Sequence, residues 1–432
     1  MNKTYKDFIN KQLETNTGLQ QIYNLLPKLK GKKIVTFCHD DPDGVTSGII
    51  FKRLTDKLEI NNHLFFPYTF QLSREEVENI KDIYTPKALF IIDKGTIETY
   101  NSFIDLIEHV VVIDHHPKIG NQFDKIIVYN PAIPKYVRTS GSFLVHILAS
   151  LFDATTPYDD FICLVGMKCD WAVDPLYDDI PEFSQIFFNE RVREQYNWLL
   201  QKRINLRPTM FDIKNPNQTC LLNQISELFF GVTGGGFQYF YNSYDERLKY
   251  IDQPKLCFET FIQEFPLPKI NTVDEFIDLL NNKEVVHIIY KYFLNDWDKT
   301  ENLFDTNTML VKYYKGIKIF FFFGKDVKLM PMVGSKKLYQ LSDNSESVII
   351  MFNSEPNNSI HVSLRGNTNK IHLGHLASSL AEQLNSQLND KTKISGGGHP
   401  FAAECKIKDA AADLMSVLKY TIHFLEQQLN TE

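Results

Sequence analysis

Three short apolar runs in the first third of the chain each lead straight into acidic or imidazole side chains. Val35-Thr36-Phe37-Cys38 precedes His39, Asp41 and Asp43, Leu89-Phe90-Ile91-Ile92 precedes Asp93, and Val111-Val112-Ile113 precedes Asp114, His115 and His116. Unbroken apolar runs of this length, spaced by helical patterning such as that of 75–84, are the texture of parallel strands buried on both faces and joined by crossover helices. Ligands of such sheets bind beyond the carboxyl ends of the strands. The shared placement therefore predicts an open α/β domain over roughly 30–180, with one crevice lined by all of these groups. Asp170, at the end of the apolar stretch in Gly-Met-Lys-Cys-Asp, can reach the same crevice.

The remaining texture predicts three parts. Residues 1–30 place Phe8, Leu13, Leu19, Ile22, Leu25 and Leu26 at helical spacing, punctuated by Pro27 and Gly31, so 1–180 reads as the sheet domain with a helical lead. Phe183, Phe187, Val192, Tyr196 and Leu199 open a mainly helical connector over 181–309. Its Gly231 to Gly236 run lacks the spacing and the Lys-Ser/Thr of a phosphate-binding loop and reads as a flexible turn. Strand-like runs return at 317–323, 347–352 and 360–364, followed by helical stretches near 372–388 and 409–429, which predicts a smaller α/β domain over 310–432.

Chemistry decides what the clustered acids are for. Carboxylates held within a few ångström of one another repel and take up protons unless cations neutralise them. A mixed set of His and Asp suits Mn²⁺ or Mg²⁺. Two divalent ions about 3.5–4 Å apart, bridged by one carboxylate, can activate water and stabilise in-line displacement at phosphorus. Taken singly, Asp93 reads as a turn or helix-capping residue and His39 to Gly44 as a solvated turn. Their conjunction favours a metal site and phosphoester hydrolysis.

The chain resembles the DHH phosphoesterases with a C-terminal DHH-associated domain, a group that includes RecJ-like exonucleases and nanoRNases. The resemblance rests on His39-Asp40-Asp41-Pro42-Asp43-Gly44-Val45-Thr46-Ser47, Asp93-Lys94-Gly95, Asp114-His115-His116, Thr139-Ser140-Gly141-Ser142 and Gly166-Met167-Lys168-Cys169-Asp170, then on Val362-Ser363-Leu364-Arg365 and Gly396-Gly397-Gly398-His399-Pro400-Phe401-Ala402-Ala403. It implies two divalent cations, Mn²⁺ or Mg²⁺, held by Asp41, Asp43, Asp93, His115 and Asp170, with Asp93 as the bridge and His39 completing the first site. His116 would face the substrate phosphate as donor or proton relay, and Asp114 would orient its neighbours. Ser140 and Gly141 would frame the crevice or simply start a helix. In the C-terminal domain, Gly396, Gly397 and Gly398 would offer backbone N–H groups as an anion-binding nest, Arg365 a planar fork and His399 a further donor. Two positions depart from the family pattern: His39 stands where RecJ-type members usually carry Asp, and Glu404 where the family has Gly, which adds a negative charge near the proposed phosphate site. The expectation is also that no segment after 410 is long enough for the extra oligonucleotide-binding barrel of full RecJ enzymes.

Composition narrows the substrate. The 432 residues carry a formal net charge of -7 with 23% charged and 43% hydrophobic side chains, which excludes a disordered chain and wholesale coating of long nucleic acid. Six scattered cysteines form no CxxC pair and no disulfide framework. The start lacks the apolar core of a signal peptide and no apolar run is long enough to cross a membrane, so the cytoplasm is expected. No feature specifies an oligomeric state. The leading expectation is an exonuclease-like, metal-dependent phosphodiesterase acting on single-stranded or short oligonucleotides. Hydrolysis of a small phosphate compound (a cyclic dinucleotide, a bisphosphonucleoside or polyphosphate) is the enzymatic alternative, and an inactive scaffold in replication or repair the third. Phe237, Tyr239, Phe240, Tyr241 and Tyr244, with Arg247 and Lys249 nearby, are candidates for base stacking or for core. From the acidic balance, log affinity for a single strand should fall against log salt with a slope of about two to four phosphates at roughly 0.7 each. Fluorescence anisotropy across a salt series measures it, and a much steeper slope indicates a long-strand enzyme.

Overall fold

The apolar runs predicted as strands form the middle of a five-stranded parallel sheet. In this computed structural model the residues described are 4–69, 71–132, 135–215, 217–388, 393–398, 400–409 and 411–430. They pack as two units, 1–209 with 217–290, and 210–216 with 291–432.

The first unit begins with α1 (Tyr5–Thr15), whose Thr4 and Asp7 form a reciprocal capping box, and α2 (Thr17–Leu25), capped by Asn16. Then come β1 (Lys33–Cys38), α3 (Pro42–Lys57), β2 (Asn61–Phe65), α4 (Arg74–Tyr84), β3 (Ala88–Ile92), β4 (His109–Ile113) and β5 (Ile127–Tyr129). Helices α5 (Gly141–Leu151), α6 (Pro157–Cys169), α7 (Glu182–Phe187), α8 (Arg193–Leu200), α9 (Leu221–Thr233), α10 (Gln253–Phe261), α11 (Val273–Asp278) and α12 (Lys283–Asn307) follow, the last running on into the second unit. The sheet order is β2-β1-β3-β4-β5 with every pairing parallel. From β1 the chain moves outward to β2 and then returns past β1 to β3, so the topological switch lies between β1 and β3. In open parallel sheets that is where the crevice opens. One face buries Val35, Phe37, Leu89, Ile91, Val110 and Val112 against Val77 of α4 and Tyr100 and Phe103.

On the other side α3, α5 and α6 pack together, and Gly166 is where they come closest. A Cβ there would lie 2.3 Å from Thr46 Oγ1 and 2.4 Å from Ser142 Oγ. The helical lead is tied to the same bundle through Tyr5, whose hydroxyl is 2.9 Å from His146 Nδ1, while His146 Nε2 lies 2.8 Å from Asp160 and Arg191 grips that carboxylate from the far side. Helices α9 and α10 pack on α3 and α6, inside this unit. All six cysteines are buried and unbridged.

The second unit contains β6 (Thr308–Tyr314), β7 (Ile317–Lys325), α13 (Met330–Ser342), β8 (Ser347–Glu355), β9 (Ser359–Gly366), α14 (Leu373–Asn385), β10 (Ile394–Gly398), β11 (Ala402–Ile407) and α15 (Leu414–Asn430). Its sheet order is β10-β11-β9-β8-β7-β6, antiparallel except for β7 with β8. Val362, Leu364 and Cys405 share a core with Leu373, Leu376 and Leu380 of α14 and Val417 and Leu425 of α15. No helix among the described residues is long and apolar enough to cross a membrane.

Alanine at a helical glycine normally stabilises by about 1 kcal/mol. At Gly166 the overlap with α3 and α5 reverses the sign, and Gly166→Ala should cost about 1–3 kcal/mol in urea unfolding. A raised midpoint would contradict this packing.

Candidate metal centre

Each predicted ligand reaches the crevice from the end of an element. Past β1, the backbone N–H of His39 still donates to Ile92 O at 3.2 Å, so the sheet register holds one residue beyond the strand. Asp41 caps α3, one oxygen accepting from Gly44 N (2.8 Å) and the other lying 2.9 Å from His39 Nδ1. The turn-and-cap reading of this segment and the ligand reading thus hold together. Asp43, in the first turn of α3, is buried and accepts from Gly141 N (2.6 Å) and Ser142 N (3.1 Å) at the start of α5. Helix N-termini favour such an anion. Ser140 caps α5 through Phe143 N, so this segment both starts a helix and frames the crevice.

Asp93 follows β3 with φ at 60°, a left-handed conformation that Asp tolerates better than most residues. Its N–H donates to Ile113 O at 2.9 Å. A Cβ on Gly141 would lie 2.9 Å from the Asp93 Cβ, so only glycine lets α5 begin this close. Asp170 occupies the C-cap of α6, where the helix dipole opposes a carboxylate. It lies 3.6 Å from His115 Nε2.

Asp93 is the centre of the arrangement. Its Oδ1 is 3.1 Å from His115 Nε2 and 3.8 Å from His116 Nδ1, and its Oδ2 is 3.9 Å from His39 Nδ1. The donor atoms form three groups, each within 4.8 Å: His39, Asp41 and Asp93; Asp93, His115 and His116; Asp43, His115 and Asp170. Asp93 Oδ1 and His115 Nε2 are both buried without a hydrogen-bond partner. Burial, then the charges of Asp43 and Asp41, push the Asp93 carboxyl well above its ordinary range. Burial likewise pushes Asp170 well up and Asp43 up, against the opposing pull of His115. Asp41 goes the other way, to about 2, because the charge and hydrogen bond of His39 outweigh its burial. Orphaned buried donors, destabilised carboxylates and an oxygen-plus-imidazole donor set fit hard divalent cations. The structure thus brings together all six residues expected as ligands: His39, Asp41, Asp43, Asp93, His115 and Asp170.

His116 has a different environment. Its Nδ1 is 2.8 Å from Oδ1 of the buried Asp114, whose Oδ2 accepts from Thr96 Oγ1 at 2.8 Å. Asn130 donates to both Thr96 Oγ1 and His116 O at 2.9 Å. Although burial raises it, Asp114 is held low by His116, so it is an ionised acceptor and Nδ1 of His116 carries the hydrogen. Sequence reasoning missed Thr96 and Asn130, although Asn130 obeys the same strand-end rule, directly after β5. It also read Gly236 as part of a flexible turn. Gly236 has φ at 71°, and a Cβ on it would lie 3.0 Å from Asp41 Cβ and 3.4 Å from His39 Cε1, so this loop closes over the first donor group.

The other expected substrate ligands belong to the second unit. Arg365 lies on β9 opposite Ala402 of β11. Gly396, Gly397 and Gly398, expected to offer backbone N–H groups to an anion, form the extended strand β10, paired with Cys405, Glu404 and Ala403. Gly396 also admits α14, since a Cβ on it would lie 2.3 Å from Ala377 O. His399 lies outside the described residues.

Asparagine at position 93 keeps the left-handed backbone and removes the charge. In chelator, Asp93→Asn should melt above the wild type because a repelled carboxylate is gone, and it should lose most of the thermal rise that Mn²⁺ gives the wild type. Calorimetry with and without Mn²⁺ checks both, and a lower melting point in chelator would contradict the electrostatic account.

The DHHA1 domain family matches residues 321–427. No curated protein sequence matches the chain. Among solved structures, RecJ from Thermus thermophilus with Mn²⁺ aligns at 16% identity and TM-score 0.60 over 96% of this chain and 55% of its own. The DHH domain of a member of the s1p family of ribosomal proteins aligns at 13% and 0.63, over 96% and 92%. The exonuclease RecJ bound to manganese aligns at 14% and 0.59, over 95% of each chain. The chain spans about half the length of the Thermus RecJ chain. With its parallel sheet, its strand-end Asp114-His115-His116 and its matched C-terminal region, the chain is a protein of DHH fold that carries a DHHA1 domain.

Proposed function

We propose that the protein is a metal-dependent phosphodiesterase that removes nucleotides from single-stranded or short oligonucleotides. The observation that carries this reading is the Asp93 carboxylate, buried with its two oxygens turned toward different histidines, Oδ1 to His115 and Oδ2 to His39. Two bound divalent cations, Mn²⁺ or Mg²⁺, would supply Lewis acidity toward water and the phosphoryl oxygens. The chain's own residues do the rest. Asp43 is locked by the α5 N–H groups, so the donor group of Asp43, His115 and Asp170 is preorganised. His116, oriented by Asp114, holds a ring nitrogen ready to pass a proton to the departing oxygen. Arg365 grips a substrate phosphate from the DHHA1 domain.

Similarity to RecJ structures, one of them the exonuclease RecJ bound to manganese, supports the nucleic-acid substrate over the small phosphate compounds. So does the loop that carries Gly236: Phe237 and Tyr239 stack at 5.8 Å, and Phe240 lies 5.0 Å from the ring of the exposed Tyr68. The half-buried rings of Phe237, Tyr239 and Phe240, which follow Gly236 in this loop, can stack a base. Tyr241 is buried and belongs to the core, and Arg247 pairs with Asp245. The complete donor set argues against an inactive scaffold.

With Mn²⁺, end-labelled penta- and dinucleotides should be shortened to mononucleotides faster than cyclic dinucleotides or pyrophosphate are hydrolysed, and His116→Ala should lower kcat about 10²–10⁴-fold. Faster turnover of pyrophosphate or a cyclic dinucleotide would overturn the substrate assignment.

A further inference from the structure

The DHHA1 domain holds a carboxylate at the group expected to bind phosphate. A guanidinium has five N–H donors. In Arg365, Nε donates to Ser335 Oγ (3.2 Å), Nη1 to the carbonyl oxygens of Leu364 (2.8 Å) and Ala403 (3.4 Å), and Nη2 to Glu404 Oε1 (3.3 Å). One Nη2 hydrogen is left over. The side chain is 12% exposed, so water does not screen these contacts as it would on an open surface. A phosphate can take a bidentate grip on this fork only by displacing one of these acceptors, of which Glu404 is the one that carries a charge.

Strand register explains why Glu404 stands there. Residues 361, 363 and 365 of β9 alternate onto one face of the sheet, and Glu404 of β11 pairs directly with Ser363. It therefore lies between the two basic groups of β9, with Oε2 2.9 Å from His361 Nε2 and Oε1 on Arg365. His361 is in turn flanked by Glu355, 3.6 Å from its Nδ1. Despite burial, His361 holds the Glu404 carboxyl down at about 2, so it stays charged at working pH.

We propose that Glu404 is a built-in competitor for the substrate phosphate at Arg365, a carboxylate that occupies the fork in the free protein and must be displaced before the DHHA1 domain engages substrate. The inference rests on the reading of Arg365 as a phosphate ligand. It makes Glu404 a determinant of affinity that acts through Arg365 and disfavours weakly charged ligands.

The test is a double-mutant cycle on the full chain, reading equilibrium binding of a 5′-phosphorylated, fluorescein-labelled pentanucleotide in EDTA, where no turnover occurs. Glu404→Gln keeps the shape and the His361 contact and should tighten binding about five- to tenfold, the net worth of one ordinary hydrogen bond. Glu404→Gly, read in parallel, should do the same if the glutamine variant is poorly folded by its melting curve. Arg365→Gln should weaken binding, and Glu404→Gln added to Arg365→Gln should change nothing more. If Arg365→Gln weakens binding while neither Glu404 variant tightens it, the competitor is refuted and Arg365 keeps its role. If no variant differs from the wild type, the phosphate-ligand reading of Arg365 falls as well.

Discussion

Asp93 is a buried carboxylate set between two others, Asp41 and Asp43, and the first unit is arranged around keeping it there. Left without a cation, the three would repel in a medium that screens poorly. The fold relieves two of them locally: Asp41 receives the Gly44 N–H and the His39 ring, and Asp43 receives two N–H groups from α5. Asp93 receives neither. Its Oδ1 remains without a hydrogen bond, and its backbone is held left-handed at the end of β3. Unrelieved charge and unusual backbone at one residue are the marks of a site kept for function at the expense of stability.

That concentration of charge is possible because the surrounding helices come unusually close. Glycines at 141 and 236 remove the side chains that would hold α5 and the loop after α9 away from the strand ends, and Gly166 does the same for α6 against α3 and α5. Asp170 adds a second unfavourable choice, a carboxylate at the C-terminus of α6 facing His115. In the second unit the same economy of side chains at Gly396 serves packing of α14, and Arg365 and Glu404 meet on the neighbouring strands.

Strands β1, β3 and β4 were legible because burial on both faces leaves unbroken apolar runs, and the cluster of candidate ligands was legible because most of them sit just after those runs. Strand β2, with two asparagines and a histidine, and β5, three residues long, carry no such signal, so Asn130 at the end of β5 was overlooked. Gly236 could not be placed from its neighbours, since the residues it touches, His39 and Asp41, lie almost two hundred positions earlier. Glu404 was recognised as an added charge near the phosphate site. Its pairing with Arg365 depends on the register of β9 against β11, which is set by cross-strand packing and not by local pattern. The strand formed by the glycine run at 396–398 was not legible, because glycine is a turn former in sequence, whereas here it pairs in β10.

The central claim is that one carboxylate, Asp93, serves two cations. Electron paramagnetic resonance of the protein loaded with two equivalents of Mn²⁺ tests it most directly, because ions about 3.5–4 Å apart across a shared carboxylate couple magnetically. The account predicts a spectrum of a coupled manganese pair, replaced in Asp93→Asn by the six-line signal of isolated ions. A six-line signal from the loaded wild type, with no coupled species at full occupancy, would contradict it.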